Sequence, residues 1–344
     1  MPSLRTEFTE ITTGLAMLGL GDLDWALDAR PAELVGVGEP EWDRLAAARE
    51  EDGHDVDFAR AWSNGLAFLR AEDALRSRVP TRIEWKGPDK LPLSSDVPAD
   101  LRVDRVFLVS CKYLSKVLHN AAPAGLFDTG LSRPVTKAGD WFAVVAPTEL
   151  QDFYGAAREE LEQSDIPGLA DLAQLPDRVG DLARSGRDLL KSALGRTLPG
   201  SVAESYAGLA RVVDERSDDR WSSWMGDRTE KERLLWRLLR IGGAPYFVLG
   251  ASSAKAPPMR LRIDTAWDWQ QAYKLTAFEV WPEPAGQAVV RWQANVVEKD
   301  SGADRTVTGH VEVRWSHGRF SGNPEAKVYL DTPHASVPGY HTLG

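Results

Sequence analysis

One cysteine in 344 residues, Cys111, excludes an internal disulfide and a cysteine-based metal site. No stretch approaches the roughly 18–20 consecutive apolar residues of a membrane-spanning helix, so no membrane partner is expected. The short apolar patch from Leu15 to Leu20 follows Glu7 and Glu10 rather than a basic lead-in, which argues against a secretory signal. A cytoplasmic location is the corresponding expectation. Three motifs are also missing: Gly-x-x-x-x-Gly-Lys-Ser/Thr, Gly-x-Gly-x-x-Gly and Gly-x-Ser-x-Gly. A phosphate-loop ATPase, a Rossmann oxidoreductase and an α/β-hydrolase each lose their main support. His317, His334 and His341 are spaced by 17 and 7 residues, which fits no familiar zinc arrangement. Internal repeats and low-complexity tracts are absent too.

What is present is an ordinary globular composition, 43% hydrophobic and 27% charged, enough for one large domain or two modest ones. The net charge of −10 is concentrated at the start, where residues 1–60 hold 14 acidic against 5 basic side chains. Acidity of this kind excludes a non-specific nucleic-acid coater but allows an enzyme that grips DNA through one basic face. Segment 228–262 offers such a face, with eight Lys/Arg against Glu230 and Glu232. The plainer reading of the same residues is a solvated helix face followed by a strand edge.

Four zones follow from periodicity. Residues 1–54 form an acidic helical region, with a helix over 41–48. Residues 55–146 read as an α/β core: a helix over 55–79 stopped by Pro80, strands at 81–85, 101–103, 106–113 and 141–146, and a helix within 114–126. Residues 147–242 are helical, with helices over 151–163, 177–194, 201–213 and 229–241. Residues 243–344 are β-rich, with strands at 246–249, 260–263, 275–281, 288–296, 306–315 and 327–330. Trp267 and Trp269 form an i,i+2 pair that reads either as an exposed aromatic strip or, more commonly, as core or rim packing of a sheet. The fold class expected is α+β.

The chemistry-bearing stretch runs from Ser94 to His119. Asp96, Asp100 and Asp104 precede the apolar strand Val106–Val109, which ends in Ser110-Cys111-Lys112. Strand alternation puts Ser110 and Lys112 on one face and sends Cys111 to the other, into the core as a small apolar residue. A hairpin joining residues 100–103 to that strand brings the Asp100 carboxylate toward the Lys112 ammonium. A carboxylate can hold a divalent cation that acidifies a bound water, and a lysine can orient that water or offset charge on a phosphate. Magnesium suits such a site because it needs few protein carboxylates.

Asp100, nine intervening residues and Ser110-x-Lys112 resemble the active-site pattern of the PD-(D/E)xK nuclease superfamily, which includes many restriction endonucleases. Pro98-Ala99-Asp100 stands where that family has its Pro-Asp. Glu72, on the helix expected over 55–79, matches the family's frequent first-helix acid, and strand 81–85 carries Glu84. The order helix, strand, strand, strand, helix, strand over about 55–146 is similar to the superfamily core. The departure is Ser110, which replaces the second acid and removes a metal ligand; Asp96, Asp104 and Glu84 are the substitutes. The resemblance covers roughly a quarter of the chain.

It implies a restriction-endonuclease-like α/β core with a helical insertion and a β-rich C-terminal region for substrate recognition. The implied activity is metal-dependent cleavage of double-stranded DNA, with Mg²⁺ or Mn²⁺ on Asp100, Lys112 acting on the water, a role in defence against foreign DNA, and a homodimer for two-strand cutting. Candidate DNA contacts are Arg102, Lys116, Arg237 and Arg240 and, in the turn-rich stretch 314–323, Arg314, Arg319 and Asn323, since arginine and asparagine make bidentate base contacts. That stretch reads equally as a plain hairpin connection. Two other functions share the segment: a non-catalytic binding module on a degenerate nuclease core, and a structure-specific DNA repair nuclease.

Overall fold

The computed structural model describes residues 4–87, 97–128, 139–163, 175–195, 197–283 and 286–344. It opens with α1 (Leu4–Met17), α2 (Leu23–Ala29), the two-residue strand β1 (Leu34–Val35), α3 (Glu39–Glu50) and α4 (Asp55–Arg70). Strands β2 (Ile83–Trp85), β3 (Leu101–Val103), β4 (Phe107–Lys112) and β5 (Val117–Ala121) follow. A helical stretch comes next: α5 (Pro123–Phe127), α6 (Trp141–Val145), α7 (Pro147–Gln163), α8 (Arg184–Ala193), α9 (Gly200–Trp224) and α10 (Arg228–Leu238). The remainder is β6 (Tyr246–Gly250), β7 (Met259–Ile263), α11 (Ala266–Ala272), β8 (Tyr273–Pro282), β9 (Ala288–Glu298), β10 (Asp304–Arg314), β11 (Glu325–Leu330) and β12 (Tyr340–Thr342). The architecture is α+β.

The strands make two sheets. One is mixed and seven-stranded, in the order β1-β2-β3-β4-β6-β7-β12; the other has five strands in the order β5-β11-β10-β9-β8, antiparallel throughout. In the first, β2, β3 and β4 form an antiparallel meander and β6 lies parallel to β4. Its strands therefore come from the N-terminal zone, from 55–146 and from the C-terminal zone. The chain leaves the first sheet at Lys112 and enters the second at Val117, so the β4–β5 connection joins them.

Alternation along the central strands gives the first sheet two different faces. Ile83, Trp85, Leu101, Val103, Val109, Cys111, Phe247 and Leu249 pack with Phe8, Ile11, Leu15, Phe58 and Phe68 of α1 and α4. The two helices cross closely at Gly65, where a Cβ would stand 2.2 Å from the Thr13 carbonyl oxygen. Cys111 is buried there, as strand alternation requires. Tyr246, Val248 and Leu261, on the opposite face, join a larger core with α5–α10 and the second sheet.

Four local expectations are corrected. Segment 141–146 is the helix α6 rather than a strand: the Asp140 carboxylate accepts from the amides of Phe142 at 3.1 Å and Ala143 at 3.5 Å, and Pro147 opens the next helix. A short apolar run has no periodicity to separate the two states. The strand that pairs with the free side of β4 is instead β6, in parallel and more than a hundred residues further on. Within 114–126, the first half is β5, captured by β11 through pairs such as His119 with Val328, and helix is confined to α5. The helix expected over 55–79 ends at Arg70, because Ala71 is extended and residues 71–78 coil through turns in which Arg76 and Ser77 have positive φ. Ala71, Ala74 and Leu75 are still buried, so the apolar spacing persisted where the helix did not. Finally, Trp267 and Trp269 lie on α11, not on a strand: Trp269 is fully buried while Trp267 is 69% exposed.

Candidate active site

Asp100 sits at the start of β3, and its backbone amide donates to the Val109 carbonyl of β4 at 2.8 Å. That register sets its carboxylate beside Ser110 and Cys111. The Cys111 amide donates to Asp100 Oδ2 at 2.7 Å and the Ser110 hydroxyl donates to the same oxygen at 3.3 Å. Asp100 is 5% exposed and Ser110 2%. Two residues along the same face, Lys112 lines a cavity with Ser110 and donates from Nζ to the Leu118 carbonyl at 3.2 Å. Gly250 on β6 permits this: a Cβ there would lie 2.1 Å from the Lys112 carbonyl oxygen, so β6 reaches the end of β4 only without a side chain.

The cavity opens where the two sheets part. Ser110, Lys112, Lys116, Arg240, Tyr246 and His334 supply its polar lining, with Val248, Leu261 and Tyr340 beneath. Arg240 follows α10 with φ of 54°, and the charge of Asp100 reaches it. Burial pushes the arginine below its ordinary range and the Tyr246 phenol well above its own. Burial, with Lys112 behind it, also lowers His334. His119, on β5, is driven down to about 3 by burial first and then by Arg240, Lys112 and Arg237. It is therefore neutral at physiological pH, in a positive and poorly hydrated setting.

The other candidates lie elsewhere. Glu84 is on the same sheet face but is bound by Arg102, by Arg82 at 3.1 Å and by Lys86 at 3.9 Å, and Arg102 first of all holds it down at about 2. This accounts for Arg102 as well. Asp104 is at the opposite end of β3, in the tight turn with φ of 48°, where it accepts from the Thr81 amide at 2.8 Å and the Arg82 amide at 3.1 Å and pairs with Arg78 at 2.6 Å. Glu72, beyond the end of α4, has 86% of its side chain exposed and pairs with Arg76 at 3.8 Å. Asp96 lies outside the described residues.

Among the proposed DNA contacts, Arg240 lines the cavity, Arg237 acts electrostatically on His119, and Lys116 is exposed at the cavity rim. Arg314 pairs with Glu312 at 3.2 Å and donates to the Tyr329 hydroxyl at 3.1 Å. Arg319 donates to the Gly195 carbonyl at 2.7 Å and stacks over the Tyr206 ring at 5.1 Å. Trp315 and Phe320 of the same stretch are buried, so 314–323 is tied into the helical core, with Asn323 exposed. Sequence reasoning missed Tyr246, His334 and His119, which carry no local signal beyond their residue type.

Magnesium is commonly held by one or two carboxylates, with water and substrate phosphate completing its shell. Asp100 meets that minimum as a buried carboxylate beside the cavity. No group of three His, Cys, Asp or Glu side chains able to hold a metal occurs among the described residues. No helix among them is long and apolar enough to cross a membrane. Comparison with known proteins adds nothing to this geometry, for no family model, no curated protein and no solved structure matches the chain.

Proposed function

We propose that the chain is a metal-dependent nuclease with a restriction-endonuclease-like core, hydrolysing phosphodiester bonds of DNA at the Asp100–Ser110–Lys112 face. The observation that carries this is the hydrogen bonding of Asp100 with Ser110 and Cys111, which sets a buried carboxylate directly behind the Ser110–Lys112 strand face that lines the cavity. In support, α4 and the meander β2–β4 give the helix and three strands that open the order of the PD-(D/E)xK resemblance; the strand parallel to β4 is β6, which lies outside 55–146 and follows β5 and α5–α10. Asp100 would hold Mg²⁺ or Mn²⁺, which supplies a more acidic water and electrostatic relief at the phosphorus. Lys112 offsets negative charge that develops on the phosphate oxygens, and Arg240 adds a second positive group. Ser110, in the position of the second acid, orients Asp100 without adding charge.

The test is cleavage of plasmid, modified phage DNA and single-stranded oligonucleotides with Mg²⁺ or Mn²⁺. The reading requires metal-dependent cleavage by the wild type that falls at least ~10²-fold in Lys112→Ala and in Asp100→Asn, the scale of losing one charge-stabilising group. Full activity in either variant overturns the assignment. A second reading, a non-catalytic binder on the same core, is favoured by one observation: Asp100 Oδ2 already accepts two internal hydrogen bonds. It is the outcome if wild type cuts none of the three substrates.

A further inference from the structure

Arg240 is half-buried, lines the cavity, and has neither a side-chain hydrogen bond nor an ion pair among the described residues. A guanidinium has five donors, and withdrawing them from water without partners is costly. Near it, His119 Nδ1 is buried with no hydrogen-bond partner. Tyr246 and His334 contribute further polar groups to the lining, and Lys112 a second cation. The chain as a whole is acidic, yet Asp100 is the carboxylate that bears on Arg240. Among the described residues Lys112, Lys116 and Arg240 line the cavity with no carboxylate in the lining, and the Asp100 charge reaches Arg240 from behind it, in a setting where charge is weakly screened. The enclosed space, mouth included, is about 400 Å³, of which about 20 Å³ admits the centre of a water molecule. That interior holds about one water, so a tetrahedral anion would seat one oxygen there and the rest in the mouth.

We propose that this cavity is a binding site for a single phosphoryl group, gripped by Arg240 and Lys112 and completed by Tyr246 and His334. Phosphate fits because its oxygens match the planar fork of arginine bidentately and its charge offsets the surplus. A terminal phosphomonoester fits better than an internal diester, for it brings up to two negative charges and needs only one exit for its chain. The proposal deepens the nuclease reading, resting on it for the source of the ligand: hydrolysis of a phosphodiester leaves a terminal phosphate and a hydroxyl, and this pocket would retain the phosphate end. The binding chemistry itself requires no metal and no turnover.

The test is calorimetric titration of the full chain in EDTA with inorganic phosphate, a 5′-phosphorylated dinucleotide and its unphosphorylated counterpart, which contains only an internal diester. Saturable one-to-one binding of the first two is expected, with the third at least tenfold weaker. Arg240→Gln should weaken phosphate at least tenfold, Arg240→Lys less, and Asp100→Asn should tighten it by removing the opposing charge. Should Arg240→Gln fail to fold, Tyr246→Phe gives the answer through an expected threefold loss. Phosphate should also raise the pH at which the His119 ring protons titrate by NMR. No binding by wild type, equal binding by a folded Arg240→Gln protein, or equal affinity for the unphosphorylated dinucleotide overturns the site. Phosphate binding without DNA cleavage removes the nuclease reading alone, and cleavage without phosphate binding removes this one alone.

Discussion

The two faces of the seven-stranded sheet use the same strands for opposite ends. Cys111 is flanked by Ser110 and Lys112, one residue either side, yet it packs into the apolar cluster of α1 and α4 while they line the cavity. On the α1/α4 face, Glu10 accepts from Trp85 Nε1 at 2.7 Å and the Thr13 hydroxyl donates to the Thr9 carbonyl at 2.6 Å, while the Thr12 hydroxyl and His54 Nδ1 are buried without partners. On the other side, His119 Nδ1, both Asp214 carboxylate oxygens and the indole nitrogens of Trp236 and Trp292 are buried without partners. Native interiors satisfy nearly all such groups, and exceptions gather where chemistry or strain is housed. Among the described residues the α1/α4 face leaves fewer such atoms than the larger core, and of the latter His119 Nδ1 is the one on a ring that Lys112 and Arg240 act on.

The strongest way to break this contrast is to hollow the apolar face. Phe68 is fully buried, with its ring 4.9 Å from Phe247 and 5.8 Å from Phe107. Phe68→Ala should cost about 3–5 kcal/mol by chemical denaturation. Below its melting transition, the variant should keep phosphate affinity within twofold. A large loss of affinity in folded protein would mean that the two faces are not separable.

The opposite change sharpens the contrast from the larger core. Asp214, on α9, is fully buried, and burial raises its carboxyl to about 6. A raised acid is protonated more readily in the folded state, so its share of stability is present below the ordinary carboxylate range and is lost as pH rises through 6. Asp214→Asn removes that loss and should stabilise the protein by about 2–3 kcal/mol at pH 8, with the gain vanishing near pH 4. A variant no more stable than wild type at pH 8 would show that Asp214 has a compensating partner.

Gly250 is where the faces meet. A methyl group there would crowd the Lys112 carbonyl oxygen and stand 2.7 Å from its Cβ. Gly250→Ala should cost about 1–3 kcal/mol, the usual range for overpacking. Because the strain falls on Lys112, phosphate binding should weaken with it, whereas an equally destabilising change on the α1/α4 face should leave binding intact.

These dependencies explain what was legible in the sequence. The strands around Asp100 and the inward turn of Cys111 follow from alternation and one hairpin, all within about a dozen residues. That hairpin predicts Asp100 close to the Lys112 ammonium, whereas Asp100 accepts from Ser110 and Cys111 and the ammonium donates to the Leu118 carbonyl. The strand parallel to β4, Tyr246–Gly250, does not follow from local pattern, because its partner is chosen by tertiary packing across the α5–α10 segment. Likewise Arg240, Tyr246 and His334 reach the cavity from more than a hundred residues away. Arg240 stood out only as one of eight basic residues in its segment, and nothing local marked the other two.

Asp104 supplies the smallest effect and the sharpest separation of a structural acid from a catalytic one. It was a candidate metal ligand by sequence, yet its carboxylate closes the β3–β4 turn through Thr81, Arg82 and Arg78. Arg78, Thr81 and Arg82 together outweigh burial, so its carboxyl is held below the ordinary value. A depressed acid contributes stability that is present above the usual carboxylate range and is lost as pH falls through its folded value. Asp104→Ala should therefore cost about 1–2 kcal/mol at pH 7, a penalty that shrinks as pH drops below 4. Metal-dependent cleavage, where wild type shows it, should persist in the folded variant, because this turn lies at the far end of β3 from Asp100. Loss of cleavage with the fold intact would return Asp104 to the metal site and require the two ends of that short strand to act together.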